Sequence, residues 1–86
     1  MEEITCKLSR NGADIVDNVK GRLTIDYNPN REELWSGFVN LPSDSLVQVG
    51  EVYEVTLSDG RSSRVQIERV NVTGQGVFAS FKSDLV

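Results

Sequence analysis

Apolar and polar positions alternate along most of this chain, in short stretches rich in Val, Ile, Thr, Tyr and Phe that are separated by Gly, Asn, Asp and Pro. A period of two marks strands with one face buried, because successive side chains on a strand point to opposite faces. The stretches are Ile4 to Leu8, Val19 to Tyr27, Leu34 to Leu41, Glu51 to Ser58, Ser63 to Val72 and Gly76 to Phe81. About six strands at this spacing predict an all-β domain, either a small antiparallel β-barrel or a two-sheet sandwich. At most one short helical turn is expected. It would lie in NPNREELW, where Asn28 or Asn30 could cap a turn opened by Pro29, although a charged hairpin loop fits that segment equally well. In LPSDSL, Pro42 ends a strand and Ser43 or Asp44 can bond nearby amides in a second turn.

The apolar phase also predicts how the later strands pair. Tyr53, Val55 and Leu57 share a parity with Val65 and Ile67, and opposed residues in an antiparallel pair share a face. A two-residue turn at Asp59-Gly60 would mix the faces. A loop of Ser58, Asp59 and Gly60, with Gly60 in the left-handed conformation of a bulged hairpin, instead sets Tyr53 against Val65 and Glu54 against Arg64. Beyond Ile67 the phase switches from odd to even, so that Val70 opposes Ala79 and Val72 opposes Val77 around a Thr73 to Gly76 loop. A bulge near Glu68-Arg69 would absorb that switch and let one strand turn a barrel corner.

Composition narrows the chemistry. Eighty-six residues, 26% charged and 38% hydrophobic, make one soluble globular domain spanning 1–86. No apolar run approaches the roughly 18 residues of a spanning helix, so no membrane is expected. The opening MEEITCK carries acids where a signal peptide needs basic and apolar stretches, which points to the cytoplasm. Cys6 has no second cysteine to pair with, and the alternation Ile4, Cys6, Leu8 turns it inward as a structural thiol. A net charge of −4 with scattered basic residues disfavours nucleic acid. Histidine is absent, which removes the commonest general base and zinc ligand. With the adjacent pairs Glu2-Glu3 and Glu32-Glu33 read as solvated, no enzyme, cofactor or metal site is expected.

Few segments could still carry a site. LSDGRSSRVQI places Arg61, Ser62 and Arg64 together, and their best functional use would be to hold an anion. Turn chemistry with a Glu54–Arg64 cross-strand pair explains the same residues. The Asn/Asp-rich NGADIVDN matches no calcium loop and reads as a polar hairpin end. TGQG lacks the lysine and helix of a phosphate loop, and the acceptor triplet Asn71-Val72-Thr73 has no consequence without a secretory route. Asp84 to Val86 reads as a tail.

Aromatic residues are the stronger signal. Trp35 and Phe38 differ by an odd number, so on one regular strand they point to opposite faces, unless Gly37 carries a bulge. If Val77, Ala79 and Phe81 face in, Phe78 faces out. Trp35, Phe38 and Phe78 are therefore the interface candidates, and the alternative is a small cluster beneath the NPNREE loop.

The stretch VGEVYEVTLSDGRSSRVQIERVNVTGQGVFASF resembles the later strands of a PilZ-type six-stranded barrel in its apolar spacing, over less than half the chain. That resemblance implies a barrel and, in members that bind cyclic dinucleotides, an N-terminal arginine pair with a D/N-x-S-x-x-G motif. This chain departs from both: Arg10 and Arg22 are isolated, and DSLVQVG has its serine directly after the aspartate. The reading is a non-enzymatic interaction module or small structural subunit whose partner is another protein or a second copy. The alternatives are a nucleic-acid-binding small barrel and a PilZ-like sensor of a small anionic ligand at Arg61, Ser62 and Arg64.

Overall fold

The alternating segments are strands in the computed structural model, which describes residues 1–45 and 47–83: β1 (Glu2–Arg10), β2 (Ala13–Tyr27), β3 (Glu33–Leu41), β4 (Val52–Leu57), β5 (Ser62–Thr73) and β6 (Gly76–Ser83). All neighbouring strands pair antiparallel, in the closed order β1-β2-β3-β6-β5-β4. Two meanders, β1–β2–β3 and β4–β5–β6, are thus joined along β3–β6 and again along β1–β4. Closure makes the fold a barrel and not a sandwich, and along the barrel wall it removes the open sheet edges that would invite strand addition.

Inward positions follow the alternation. Ile4, Cys6 and Leu8 of β1 meet Tyr53, Val55 and Leu57 of β4, Val65 and Ile67 of β5, Ala79 and Phe81 of β6, and Trp35, Val39 and Leu41 of β3 in one buried cluster. Cys6 is 3% exposed, and removal from water pushes its thiol pKa from 9.0 up to about 11. No buried side-chain polar atom among the described residues lacks a hydrogen-bond partner.

The β4–β5 hairpin takes the expected register, with Tyr53 opposite Val65 and Glu54 opposite Arg64. Gly60 has φ +96°, its N–H donates to the Leu57 carbonyl at 2.9 Å, and the Leu57 N–H donates to the Arg61 carbonyl at 2.7 Å. The expected bulge in β5 is present: Ile67 opposes Phe81 and Arg69 opposes Ser80, leaving Glu68 as the extra residue. Val70 then opposes Ala79 and Val72 opposes Val77.

β2 begins at Ala13, six residues before the predicted Val19. NGADIVDN opens with the hairpin end, a turn at Asn11-Gly12, and continues from Ala13 as bulged strand in the first part of β2. Between Cys6/Val19 and Leu8/Val16, and again between Leu8/Val16 and Ser9/Asp14, β2 carries one residue more than β1. Asn18 adopts φ +54° with its N–H donating to Asp17 Oδ1 at 2.7 Å. Val16 and Val19 stay buried across this bulge, so the apolar spacing is three and the period-two signal is lost.

Within NPNREELW, Asn28 to Glu32 form a hairpin loop and Glu33 to Trp35 begin β3, and no helix occurs among the described residues. Asn28 Oδ1 accepts the N–H groups of Asn30 and Glu32, each at 2.9 Å. The β3–β4 connection leaves β3 at Pro42, whose carbonyl accepts the Ser45 N–H at 3.1 Å. Val47 is buried there, and the Gln48 N–H donates to the Tyr53 hydroxyl at 3.2 Å. No described helix is long and apolar enough to cross a membrane. Leu46 and the Asp84 to Val86 tail lie outside the described residues.

Candidate interaction surface

Two glycines on β2 and β3 leave no room for a side chain against the paired strand. A Cβ built on Gly37 would collide with the Arg22 carbonyl oxygen and lie 3.2 Å from Leu23 Cα, and one on Gly21 would collide with the Phe38 carbonyl oxygen and lie 2.9 Å from Val39 Cα. Glycine at these inward positions lets the backbones nest, and the pairing runs through Gly37 without a register shift. With no bulge to absorb it, the parity of residues 35 and 38 holds.

Trp35 therefore points in and is 1% exposed. This removes Trp35 from the interface candidates: it is a core residue, with its indole N–H donating to Glu33 Oε2 at 3.0 Å at the barrel rim and its backbone N–H to Ser83 Oγ at 2.6 Å. Phe38 points out, as does Phe78. Phe38 opposes Ser80 and Asn40 opposes Phe78, so the two phenylalanines are diagonal neighbours across β3–β6. Their rings meet edge to face, centroids 6.1 Å apart and planes at 74°. They form a half-buried aromatic pair on the outer wall and do not gather beneath the Asn28 to Glu32 loop.

Register sets what surrounds the pair. One row across the outer face reads Glu3, Arg22, Phe38, Ser80, Arg69, and beside it Lys20 opposes Thr5 while Asn40, Phe78 and Asn71 lie in line. A groove of about 570 Å³ runs from the phenylalanines across Lys20 and Arg22 to the start of β1 and to the Ser58–Arg61 turn. Its charges are mostly paired among themselves. Arg22 reaches Glu3 at 3.7 Å, and Arg61 reaches Glu2 and Asp59 at 2.8 Å each. The Arg61 backbone N–H, and after it the Arg61 guanidinium, holds the Asp59 carboxyl below its usual range. Glu2 first, then Asp59, raise the Arg61 pKa in turn.

The three anion candidates are not brought to one point. Arg61 faces this groove with its guanidinium between two carboxylates, Ser62 opposes Thr56, and Arg64 opposes Glu54 on the wall of a second groove beside Arg10 and Glu51. Arg10 and Glu51 pair at 2.6 Å in that second groove, and with Arg22 held at Glu3 the two N-terminal arginines stand apart. Among the described residues no group of three Cys, Asp or Glu side chains could hold a metal ion.

Sequence reasoning did not assemble the cations around the aromatic pair. Lys20, Arg22, Arg69 and Lys82 are scattered along the chain and converge only because β3 pairs with β6. Parity places Lys20, Arg22 and Phe38 on outward positions, but parity carries no information on which strands are neighbours.

The fold and this face define a small closed β-barrel with an aromatic-centred outer surface. No family model, no curated protein and no solved structure matches the chain.

Proposed function

We propose that this barrel is a non-enzymatic interaction module that docks another protein on the outer face of β2, β3 and β6, and that it does so in the cytoplasm. The observation that carries the reading is the Phe38–Phe78 pair on the outside of a barrel whose interior is already filled by Trp35, Phe81 and aliphatic side chains. Aromatic side chains ringed by polar groups are the usual anchors of protein interfaces, where burial against a partner completes what the sheet leaves half exposed. The acids beside the groove and the net charge of −4 weigh against a phosphate backbone as partner. Arg61, held between two carboxylates, weighs against a small-anion sensor.

The test uses wild type and the Phe38→Ser/Phe78→Ser double variant, both verified as folded by Trp35 emission. Protein captured from native lysate by wild type is identified, purified and titrated against both. Expected is at least about a tenfold loss of affinity in the variant, the scale of an aromatic hot spot. Equal affinity for the folded double variant, or no partner at all for wild type, overturns the reading.

A further inference from the structure

At its C-terminal end β5 outruns one of its two neighbours. β4 begins at Val52, opposite Gln66, and the backbone bonds on that side end where the Gly50 N–H donates to the Ile67 carbonyl at 2.8 Å and the Ile67 N–H to the Glu51 carbonyl at 3.0 Å. Past the bulge at Glu68, β5 runs on to Thr73 beside β6 alone. Thr73 and Gly76 flank a two-residue turn, and the pair flanking such a turn exchanges ladder hydrogen bonds. Bonding alternates along a strand, so Asn71 and Arg69 also bond to β6, while the N–H and C=O groups of Val70 and Val72 point to the opposite edge. Among the described residues these groups have no hydrogen-bond partner. Both valines are in the inward phase, opposite Ala79 and Val77, yet Val72 is 79% exposed because the β5–β6 hairpin projects past the barrel interior. Open edges are commonly blunted by lysine or proline, and Val70 to Thr73 contains neither.

We propose that this edge pairs with the same edge of a second copy, β5 antiparallel to β5 about a two-fold axis, to form a homodimer. With Asn71 opposite Asn71 of the second copy, Val70 of each chain opposes Val72 of the other, and these pairs form about four backbone hydrogen bonds. Opposed residues share a face, so each exposed Val72 is covered by a valine. Arg69 opposes Thr73 and no like charges meet. A register two residues nearer β4 would drive the second copy's turn against Gly50, and one two residues the other way sets Val70 against Gly74 and loses the valine contact. Overlapping tips leave the two barrels at opposite ends of the shared strand pair. A second copy fits this edge better than a peptide from another protein, because β5 is held as a strand before contact whereas a peptide must be ordered on binding. The pairing is isologous and uses up the edge, so it closes as a dimer and does not grow into a fibre. Five residue pairs bury less than the about 1,600 Å² of a standard interface, so the dimer forms in the range of about 10 μM to 1 mM. It uses neither Phe38 nor Phe78 and stands apart from the docking reading above.

The test combines sedimentation equilibrium with amide hydrogen exchange on the intact chain, from about 10 μM to about 2 mM, a range that brackets the expected dissociation constant. Expected are an average mass that rises toward twice that of one chain, exchange of the Val70 and Val72 amides slowed about tenfold at the highest concentration, and stronger association with added salt, which screens the net charge of −4 on each copy. Asn71 is exposed, so Asn71→Lys and Asn71→Glu leave the barrel folded, as Trp35 emission confirms. Each variant alone opposes like charges across the two-fold axis and should associate about tenfold more weakly than wild type. An equal mixture of the two sets Lys against Glu and should recover the dimer. A chain that stays monomeric throughout, a dimer that leaves Val70 and Val72 unprotected, or a mixture that associates no better than either variant alone overturns the proposal. A dimer that survives Asn71→Lys but is lost in Phe38→Ser/Phe78→Ser lies on the aromatic face and overturns it as well.

Discussion

The close nesting of β2 and β3 predicts that two glycines respond very differently to the same substitution. At Gly60 an added Cβ meets nothing within 4 Å, and the cost of Gly60→Ala is the left-handed backbone at φ +96° alone. That cost is about 1 kcal/mol. At Gly37 the added Cβ collides with the Arg22 carbonyl oxygen and lies 3.0 Å from its carbon and 3.2 Å from Leu23 Cα. All three are backbone atoms of the paired strand, so no side chain can swing aside. β2 and β3 must separate, which weakens two or three ladder hydrogen bonds worth about 1 kcal/mol each and loosens the packing of Leu23 and Trp35. We expect Gly37→Ala to cost about 3 to 4 kcal/mol, a large part of the roughly 4 to 13 kcal/mol of a domain this size. Thermal unfolding followed by Trp35 fluorescence and far-UV circular dichroism reads the difference. At about 4 to 8 °C per kcal/mol, Tm should fall by about 12 to 32 °C for Gly37→Ala and by about 4 to 8 °C for Gly60→Ala. Equal losses, or a Gly37→Ala barrel melting within a few degrees of wild type, would refute the close-approach argument.

Further outcomes separate core from surface. Trp35→Ala should cost about 3 to 5 kcal/mol by cavity formation, whereas Phe38→Ala on the outer wall should cost about 1 to 2, and a Phe38/Phe78 double-mutant cycle should return a coupling of about 0.5 to 1.5 kcal/mol. The buried Cys6 thiol has a folded pKa raised above its unfolded value of 9.0, so its contribution is complete below pH 9 and is lost as pH rises toward about 11. Chemical denaturation from pH 8 to 11 should show an alkaline fall in stability that Cys6→Val lacks. Arg61→Ala should leave the Asp59 carboxyl still depressed in an NMR titration, because the Arg61 backbone N–H is the largest cause and survives the substitution. Arg64→Ala should change stability by less than about 1 kcal/mol and leave partner affinity intact, since Arg64 opposes Glu54 away from the aromatic face.

Much of this barrel was legible along the chain. Side-chain alternation is a local, steric property, so the six strands, the Gly60 hairpin register and the phase switch at Glu68 followed from parity alone. The same rule restricted Trp35 and Phe38 to opposite faces, because each residue added to a regular strand inverts the side-chain direction. It failed where β2 carries extra residues at Ile15 and at Asp17-Asn18, since a bulge removes the period on which the reading depends. Which aromatic faces inward required the barrel to close around Trp35. That Phe38 meets Phe78 depends on β3 pairing with β6. Strand neighbours far apart in the chain are selected by the summed burial of the whole interior and the geometry of closure, and no local pattern records that choice.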